Sequence, residues 1–349
     1  MNKRLKHIIS VFKQDNIDAF VVTKDANISY LVGFSAEDAW LLIARNKVFY
    51  ITDSRYMLEV KKKLRGIKLE CIKESLPKTL ATILKTLKIK NIGFEGNVLT
   101  YAQHKSIKKA CGTIRLVDRS GAVELLRSIK SKDEINSIKK SLNLHKSTNK
   151  YIKSIIKPDL TEKEIAFKID NFVKSKGARL SFETIVASGV NSCYPHAQIT
   201  GRKVLKNDII LVDMGVDLNG YKSDLTRMFF LGRIPKPLRE VNSIVKEVQV
   251  SAIEKIAPGV STADIDNFAR KLFKKHKLDK FFTHSLGHGV GLEVHERPIL
   301  SKLSQEYLKE GMIVTVEPGI YIPNKFGIRI EDMVLVTKKG YEILSGDIN

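Results

Sequence analysis

Asp213, Asp224, His288, Glu317 and Glu331 follow one another along the second half of the chain. Their settings are Val-Asp-Met-Gly, Ser-Asp-Leu-Thr-Arg, Gly-His-Gly-Val-Gly, Val-Glu-Pro-Gly and Arg-Ile-Glu-Asp. One imidazole with four carboxylates is an oxygen-rich donor set. A single zinc site usually uses more nitrogen or sulfur, whereas this set suits two divalent cations. The chemistry it points to is metal-assisted hydrolysis. Asp213 lies inside an apolar run, and Glu331 also sits among apolar residues, where a charge needs a partner. Asp224 and Glu317, taken singly, read as well as solvated strand-end charges.

Asn219-Gly220 is a two-residue hairpin signal. With Leu218 opposite Tyr221, Asp213 faces Thr226 and Asp224 lies one diagonal step away. Side chains alternate with period two, so both carboxylates project from one face, where they repel unless a cation binds. The segment 283–298 holds His284, His288 and His295 in a glycine-rich run. Imidazole is a metal ligand and a proton carrier, and the flanking glycines let backbone pass close to a metal or substrate. The spacing is wrong for a dinucleotide loop. Glu317 ends a strand over 312–317 that Pro318-Gly319 stops. Glu331 lies inside a strand over 327–336, with Arg329 at the same parity to support the site.

These residues must be held by a scaffold. The first part of the chain alternates strand-like runs (19–23, 41–44, 48–52, 67–72, 91–95 and 113–117) with helical patterns (54–63, 76–87 and 101–110). This alternation predicts an α/β domain with a mixed sheet. A long helix follows over 132–156, opened by the capping box Ser131-x-x-Glu134. The boundary falls just before it, giving domains 1–127 and 128–349. The second domain contains a repeat: Ile156-Lys-Pro-Asp-Leu-Thr matches Ile256-Ala-Pro-Gly-Val-Ser. Each copy leads through a Thr or Ser cap into an amphipathic helix, 165–175 or 265–276. A histidine-bearing loop and strands then follow. Two helix-loop-sheet halves imply a pseudo-twofold domain with the active site between them.

The 349 residues suffice for two cores. No apolar run approaches the ~20 residues of a membrane span. The basic, then apolar start is short and lacks a cleavage site, so it reads as an amphipathic first helix of a cytoplasmic protein. Three scattered cysteines without a C-x-x-C pair suit reduced thiols. The net charge of +22 is mostly lysine, spread along the chain. Arginine is the preferred residue for bidentate phosphate and base contacts, so the excess reads as a solvated surface rather than a specific nucleic-acid site.

Taken together, the motifs resemble the "pita-bread" metallopeptidases that cleave Xaa-Pro bonds, prolidase and aminopeptidase P. The resemblance covers nearly the whole chain. It includes Asn27-Ile-Ser-Tyr-Leu-Val-Gly-Phe and Thr52-Asp-Ser-Arg-Tyr, and the stretch from Phe182-Glu-Thr-Ile-Val-Ala-Ser-Gly to Pro195-His196. It implies an α/β (α+β) chain: a creatinase-type N-terminal domain with a mixed sheet, then a pita-bread catalytic domain. It further implies two divalent cations, Mn or Co with Zn or Fe as alternatives, held by Asp213, Asp224, His288, Glu317 and Glu331. Glu317 would also accept and shuttle a proton during attack on the carbonyl before proline. His284 and His295 would stabilise the oxyanion and assist the leaving group, and His196 would line the substrate site. Tyr321 and Arg329 would support it. Arg297 is a candidate for the substrate's C-terminal carboxylate, which arginine grips bidentately. Family prolidases place an arginine in this loop, with Ile299 the next candidate position, and a solvated loop arginine is an equal reading. Substrates would be proline-containing dipeptides, or longer peptides for an aminopeptidase P. The N-terminal domain would serve a homodimer and limit substrate length. A non-catalytic binder on this fold would show eroded ligands.

Overall fold

Short β-branched and aromatic runs form the sheet of the first of two units, Met1–Arg127 and Ser128–Asn349. The computed structural model describes residues 2–34 and 38–346. In the first unit the strands are β1 (Ala19–Val22), β2 (Trp40–Ala44), β3 (Val48–Thr52), β4 (Lys68–Cys71), β5 (Asn91–Phe94) and β6 (Arg115–Asp118). They form a six-stranded sheet in the order β4-β3-β2-β1-β5-β6. β2 is antiparallel to both neighbours and the other pairs are parallel, so the sheet is mixed. β1, β2 and β3 are buried at every position, which is why they read as continuous apolar runs instead of alternating ones. The helices are α1 (Lys3–Asp15), α2 (Asp25–Val32), α3 (Met57–Lys63), α4 (Leu76–Thr86), α5 (Tyr101–Cys111) and α6 (Ala122–Ser128). α2 and α6 have no counterpart in the sequence reading. α2 is short and buries Asn27, Ile28, Tyr30 and Leu31, so no clean 3.6-residue stripe marks it.

The second unit opens with α7 (Lys132–Ile155), whose Ser131/Glu134 capping box forms as the sequence implies. Its first half then contains α8 (Glu162–Ser175), β7 (Arg179–Leu180), β8 (Ile185–Ser188), β9 (Ile209–Met214), β10 (Val216–Leu218), β11 (Tyr221–Lys222) and β12 (Leu225–Phe230). The second half contains α9 (Lys236–Ile253), α10 (Thr262–Lys275), β13 (Gly287–Gly289), β14 (Glu296–Leu300), β15 (Ile313–Val316), β16 (Gly319–Ile322), β17 (Phe326–Arg329), β18 (Asp332–Thr337) and β19 (Gly340–Ile343). The main sheets run β12-β9-β8 and β14-β13-β15-β18-β19, with smaller sheets β11-β10-β7 and β16-β17.

The repeat is physical. Asp159 and Gly259 both take the left-handed conformation that turns the chain into the helix (φ 71 and 84). Thr161 caps α8 and Ser261 caps α10. Ile165, Ile169 and Val173 bury one stripe of α8, and Ile265, Ala269 and Phe273 bury the matching stripe of α10. Burying a side chain such as Phe273 is worth about 2–3 kcal/mol. Even the returning segments correspond: Val204 N donates to Leu160 O, and Leu308 N to Val260 O. Among the described residues, no helix is long and apolar enough to cross a membrane. Cys71, Cys111 and Cys193 are free.

Candidate metal centre

The hairpin delivers Asp213 where the sequence places it. Asn219 and Gly220 both have positive φ (56 and 88), as the tight turn requires. Leu218 pairs with Tyr221, and Asp213 pairs with Thr226. Two details differ from expectation. Asp224 is not a strand residue: it lies in a break between β11 and β12, where its N–H meets Met333 Sδ at 3.4 Å. Glu331 does not lie inside one long strand either. The expected strand over 327–336 splits into β17 and β18, which join different sheets, and Glu331 occupies the two-residue step between them. Leaving the ladder frees its side chain to turn toward the aspartates.

His288 stands on β13 between two glycines. A Cβ on Gly287 would sit 2.0 Å from Thr315 O, and one on Gly289 would sit 2.3 Å from Arg297 O. These glycines therefore admit close packing of neighbouring strands. The carbonyl of Gly289 can only accept, so His288 Nδ1 donates to it at 3.1 Å. Nε2 then faces the carboxylates, 3.2 Å from Glu317 Oε1 and 3.6 Å from Asp224 Oδ2. An outer hydrogen bond on one ring nitrogen that fixes the other as a donor is the usual setting of a metal-ligating histidine.

Side chains behind these groups were not legible in the sequence. Thr315 Oγ1 accepts from His288 N at 3.0 Å and donates to Glu317 Oε1 at 3.1 Å. Thr226 Oγ1 accepts from Arg329 Nε at 2.9 Å and donates to Glu331 Oε2 at 2.8 Å. Arg329 is buried, but it does not share a strand with Glu331, so the expected parity between them does not apply. It donates to Asp213 Oδ2 at 2.7 Å, Tyr321 Oη at 2.6 Å and Pro195 O at 3.0 Å. Both threonines stand on strands bearing recognised motifs, but a hydroxyl in a strand carries no signal that it will brace a carboxylate.

The electrostatics are those of several acids buried close together. Burial, then repulsion from the other carboxylates, holds Asp224 and Glu331 well above the ordinary carboxylate range. Burial also raises Asp213, against the pull of Arg329. Burial opposes ionisation of Glu317 too, but the hydrogen bond and charge of His288 bring it down to about 2. His288 is raised in turn by Glu317, despite its own burial. Oδ1 of Asp213 and Oε1 of Glu331 are buried without a hydrogen-bond partner. A buried, unpaired carboxylate oxygen is expensive, and a cation is the group that removes the cost. Ligand atoms of Asp213, Asp224 and Glu331 lie within 4.8 Å of one another, as do those of His288, Glu317 and Glu331, and of Asp224, His288 and His295. The residues present therefore fit divalent cations.

The remaining histidines surround this cluster. His295 is exposed and packs edge-on against His288, with ring centroids 4.3 Å apart. His196 is exposed. His284 Nδ1 donates to Ser285 O at 2.8 Å, and its Nε2 lies 3.0 Å from Tyr321 Oη. Burial lowers the pKa of His284, so the ring is neutral and Nε2 accepts the tyrosine proton. Burial pushes the Tyr321 phenol up to about 12, so it keeps that proton. Arg297 is not drawn into the cluster: its Nε pairs with Glu306 Oε1 at 2.8 Å, while Glu306 Oε2 takes Ile299 N.

Residues 136–338 match Metallopeptidase family M24, and residues 4–129 match the Creatinase/Prolidase N-terminal domain. The chain belongs to metallopeptidase family M24. Among its M24 relatives, the Xaa-Pro dipeptidase of Pyrococcus horikoshii is 33% identical over 349 residues, covering 99% of this chain and 97% of the relative. The structure of an Xaa-Pro dipeptidase from Bacillus anthracis superposes with a TM-score of 0.95 at 33% identity, covering 99% of this chain and 97% of that one. The structure of an X-Pro aminopeptidase from Thermotoga maritima does so with a TM-score of 0.88 at 34% identity, covering 96% and 97%. The M24 chain thus shares its whole architecture with both kinds of peptidase.

Proposed function

We propose that this chain is a dinuclear, divalent-metal-dependent peptidase that hydrolyses the Xaa-Pro bond, acting on dipeptides as an Xaa-Pro dipeptidase. The observation that carries the reading is the pair of orphaned, buried oxygens on Asp213 and Glu331 within a complete five-residue donor set. Asp213, Asp224, His288, Glu317 and Glu331 hold the cations, with Mn or Co the best match to an oxygen-rich shell and Zn or Fe the alternatives. When bound, the cations supply polarisation of the scissile carbonyl and activation of a water at neutral pH. Glu317 takes the proton of the attacking water and passes it to the proline nitrogen. His295, exposed beside His288, donates to the developing oxyanion. His284 acts through Tyr321, because its Nε2 already accepts the phenol proton. Arg329 balances Asp213 and fixes that phenol. His196 lines the substrate side, and Arg297 binds the dipeptide's carboxylate from its seat on Glu306.

The same likeness to an X-Pro aminopeptidase supports a second reading, removal of the N-terminal residue from longer peptides. Residues 1–127 form the domain that limits substrate length and supports a cytoplasmic homodimer. Hydrolysis of Ala-Pro and Ala-Pro-Ala by the full chain in added Mn(II) or Co(II) decides between these readings. Cleavage of the dipeptide alone is expected, preference for the tripeptide would establish the aminopeptidase, and cleavage of neither would end the enzyme reading.

A further inference from the structure

Helix α7 reaches the break that presents Asp224 through three side chains on one face. Glu134 Oε1 accepts from Tyr221 Oη at 3.0 Å, Ser141 Oγ donates to Tyr221 O at 2.8 Å, and His145 Nδ1 lies 3.1 Å from Ser223 Oγ. The spacing of seven and four residues keeps all three in line along the helix. Ser141, His145 and Ser223 are each 0% exposed. Ser223 is itself the crossing point of the local backbone: its Oγ accepts from Val216 N at 3.1 Å, and its carbonyl accepts from Ser181 Oγ at 3.3 Å. Gly215 has no side chain because a Cβ there would lie 2.4 Å from Ser223 O. The next residue is Asp224.

The arrangement is costly in a way that packing alone does not explain. His145 Nε2 is buried without a hydrogen-bond partner. Burial holds the ring's pKa down at about 3, so it stays neutral and adds no ion pair. An apolar residue of similar volume would fill the space without stranding a polar nitrogen. What an apolar residue would lose is the contact to Ser223 Oγ. We infer that His145 and Ser141 are positioning residues for the metal centre, fixing the Tyr221–Ser223 segment so that Asp224 leaves the strand at the angle a ligand needs. The inference rests on the reading of Asp224 as a metal ligand. Outer partners of metal ligands commonly alter affinity by about 10–100-fold when removed.

Calorimetric titration of the chelator-stripped full chain with Mn(II) tests this, alongside thermal unfolding of the metal-free protein. His145→Leu and Ser141→Ala are expected to weaken one of the two Mn(II) sites by about 10–100-fold and leave the other near the parent value. His145→Asn, which keeps a polar atom near the position of Nδ1, is expected to recover part of the loss. A purely structural role predicts lower melting temperatures with both Mn(II) affinities within about twofold of the parent, and that result overturns the inference. Asp224→Asn separates the two levels. If it loses one Mn(II) while the α7 variants retain both, the positioning role fails and the ligand reading stands; if Asp224→Asn keeps both, the two fail together. Should His145→Leu not fold, Ser141→Ala, which removes a single hydroxyl, decides the question.

Discussion

Two buried carboxylates, one in each unit, are treated in opposite ways. In the first, Glu95 is 1% exposed and accepts from Thr23 N at 2.6 Å, Lys24 N at 3.1 Å, Thr23 Oγ1 at 3.3 Å and Asn27 Nδ2. In the second, Glu331 is equally buried, yet one oxygen takes only the Thr226 hydroxyl and the other takes nothing. Asp213 likewise leaves an oxygen unpaired. A structural acid is surrounded by the chain's own donors, which satisfy it permanently. Glu331 and Asp213 stand among other acids instead, and each keeps one oxygen that no donor of the chain reaches. The distinction lies in the donor inventory, because burial raises the pKa in both places.

The largest effect that follows concerns Glu331→Gln. It should lower Xaa-Pro hydrolysis by at least about a thousandfold, since the cations supply several kcal/mol of transition-state stabilisation. Without metal, the same variant should melt no lower than the parent, because one repelling charge is gone. A clear drop in that melting temperature would put Glu331 in the class of Glu95. Tyr321→Phe should reduce kcat by about 10–100-fold by unlinking Arg329 from His284. Unchanged turnover would show that their bridge does not serve the reaction. Glu95→Gln should do the reverse of Glu331→Gln: unfolding in denaturant should show a loss of about 1–3 kcal/mol, with Mn(II) affinity unaltered. Arg297→Ala should slow Ala-Pro about tenfold more than Ala-Pro-Ala, the worth of one charged hydrogen bond. Equal slowing of both peptides removes its carboxylate role.

The smallest effect, counted per group and per pH unit, is in pH. Asp224 and Glu331 have raised pKa values in the fold, so above the ordinary carboxylate range the folded state binds more protons than the unfolded one. Their stabilising contribution is present in acid and disappears as pH rises through the raised values. The metal-free protein should therefore gain stability on acidification from neutrality, on the order of 1 kcal/mol per pH unit per group. Saturating Mn(II) should reverse the trend, because ligands must lose protons to bind. Glu95 contributes the first slope in both states, so only the difference between metal-free and loaded protein reports the centre.

Much of this was written in local sequence. Asn219-Gly220 set the hairpin register that pairs Asp213 with Thr226. The Ser131/Glu134 box and the Thr161 cap marked helix starts, and the Pro-Thr and Pro-Ser repeat announced two similar halves. Asp213, Asp224, His288, Glu317 and Glu331, the proposed ligands, fall in overlapping groups with donor atoms within 4.8 Å of one another. Local sequence could not show where a strand lets go. The breaks at Asp224 and Glu331 arise because neighbouring segments join different sheets, which is a long-range choice. His145 looked like any residue of an amphipathic helix, since its partner Ser223 is distant in sequence. The short helix α2 was hidden by burial on more than one side.

The division of β17 from β18 has a temporal meaning. A nascent chain that ends with β17 already carries Asp213, Asp224, His288, Glu317 and the Arg329 guanidinium that pairs with Asp213, and of the proposed donor set it lacks only Glu331. The proposed donor set is therefore completed last in the chain, by the residue that carries the backbone from the sheet of β17 into the sheet of β18.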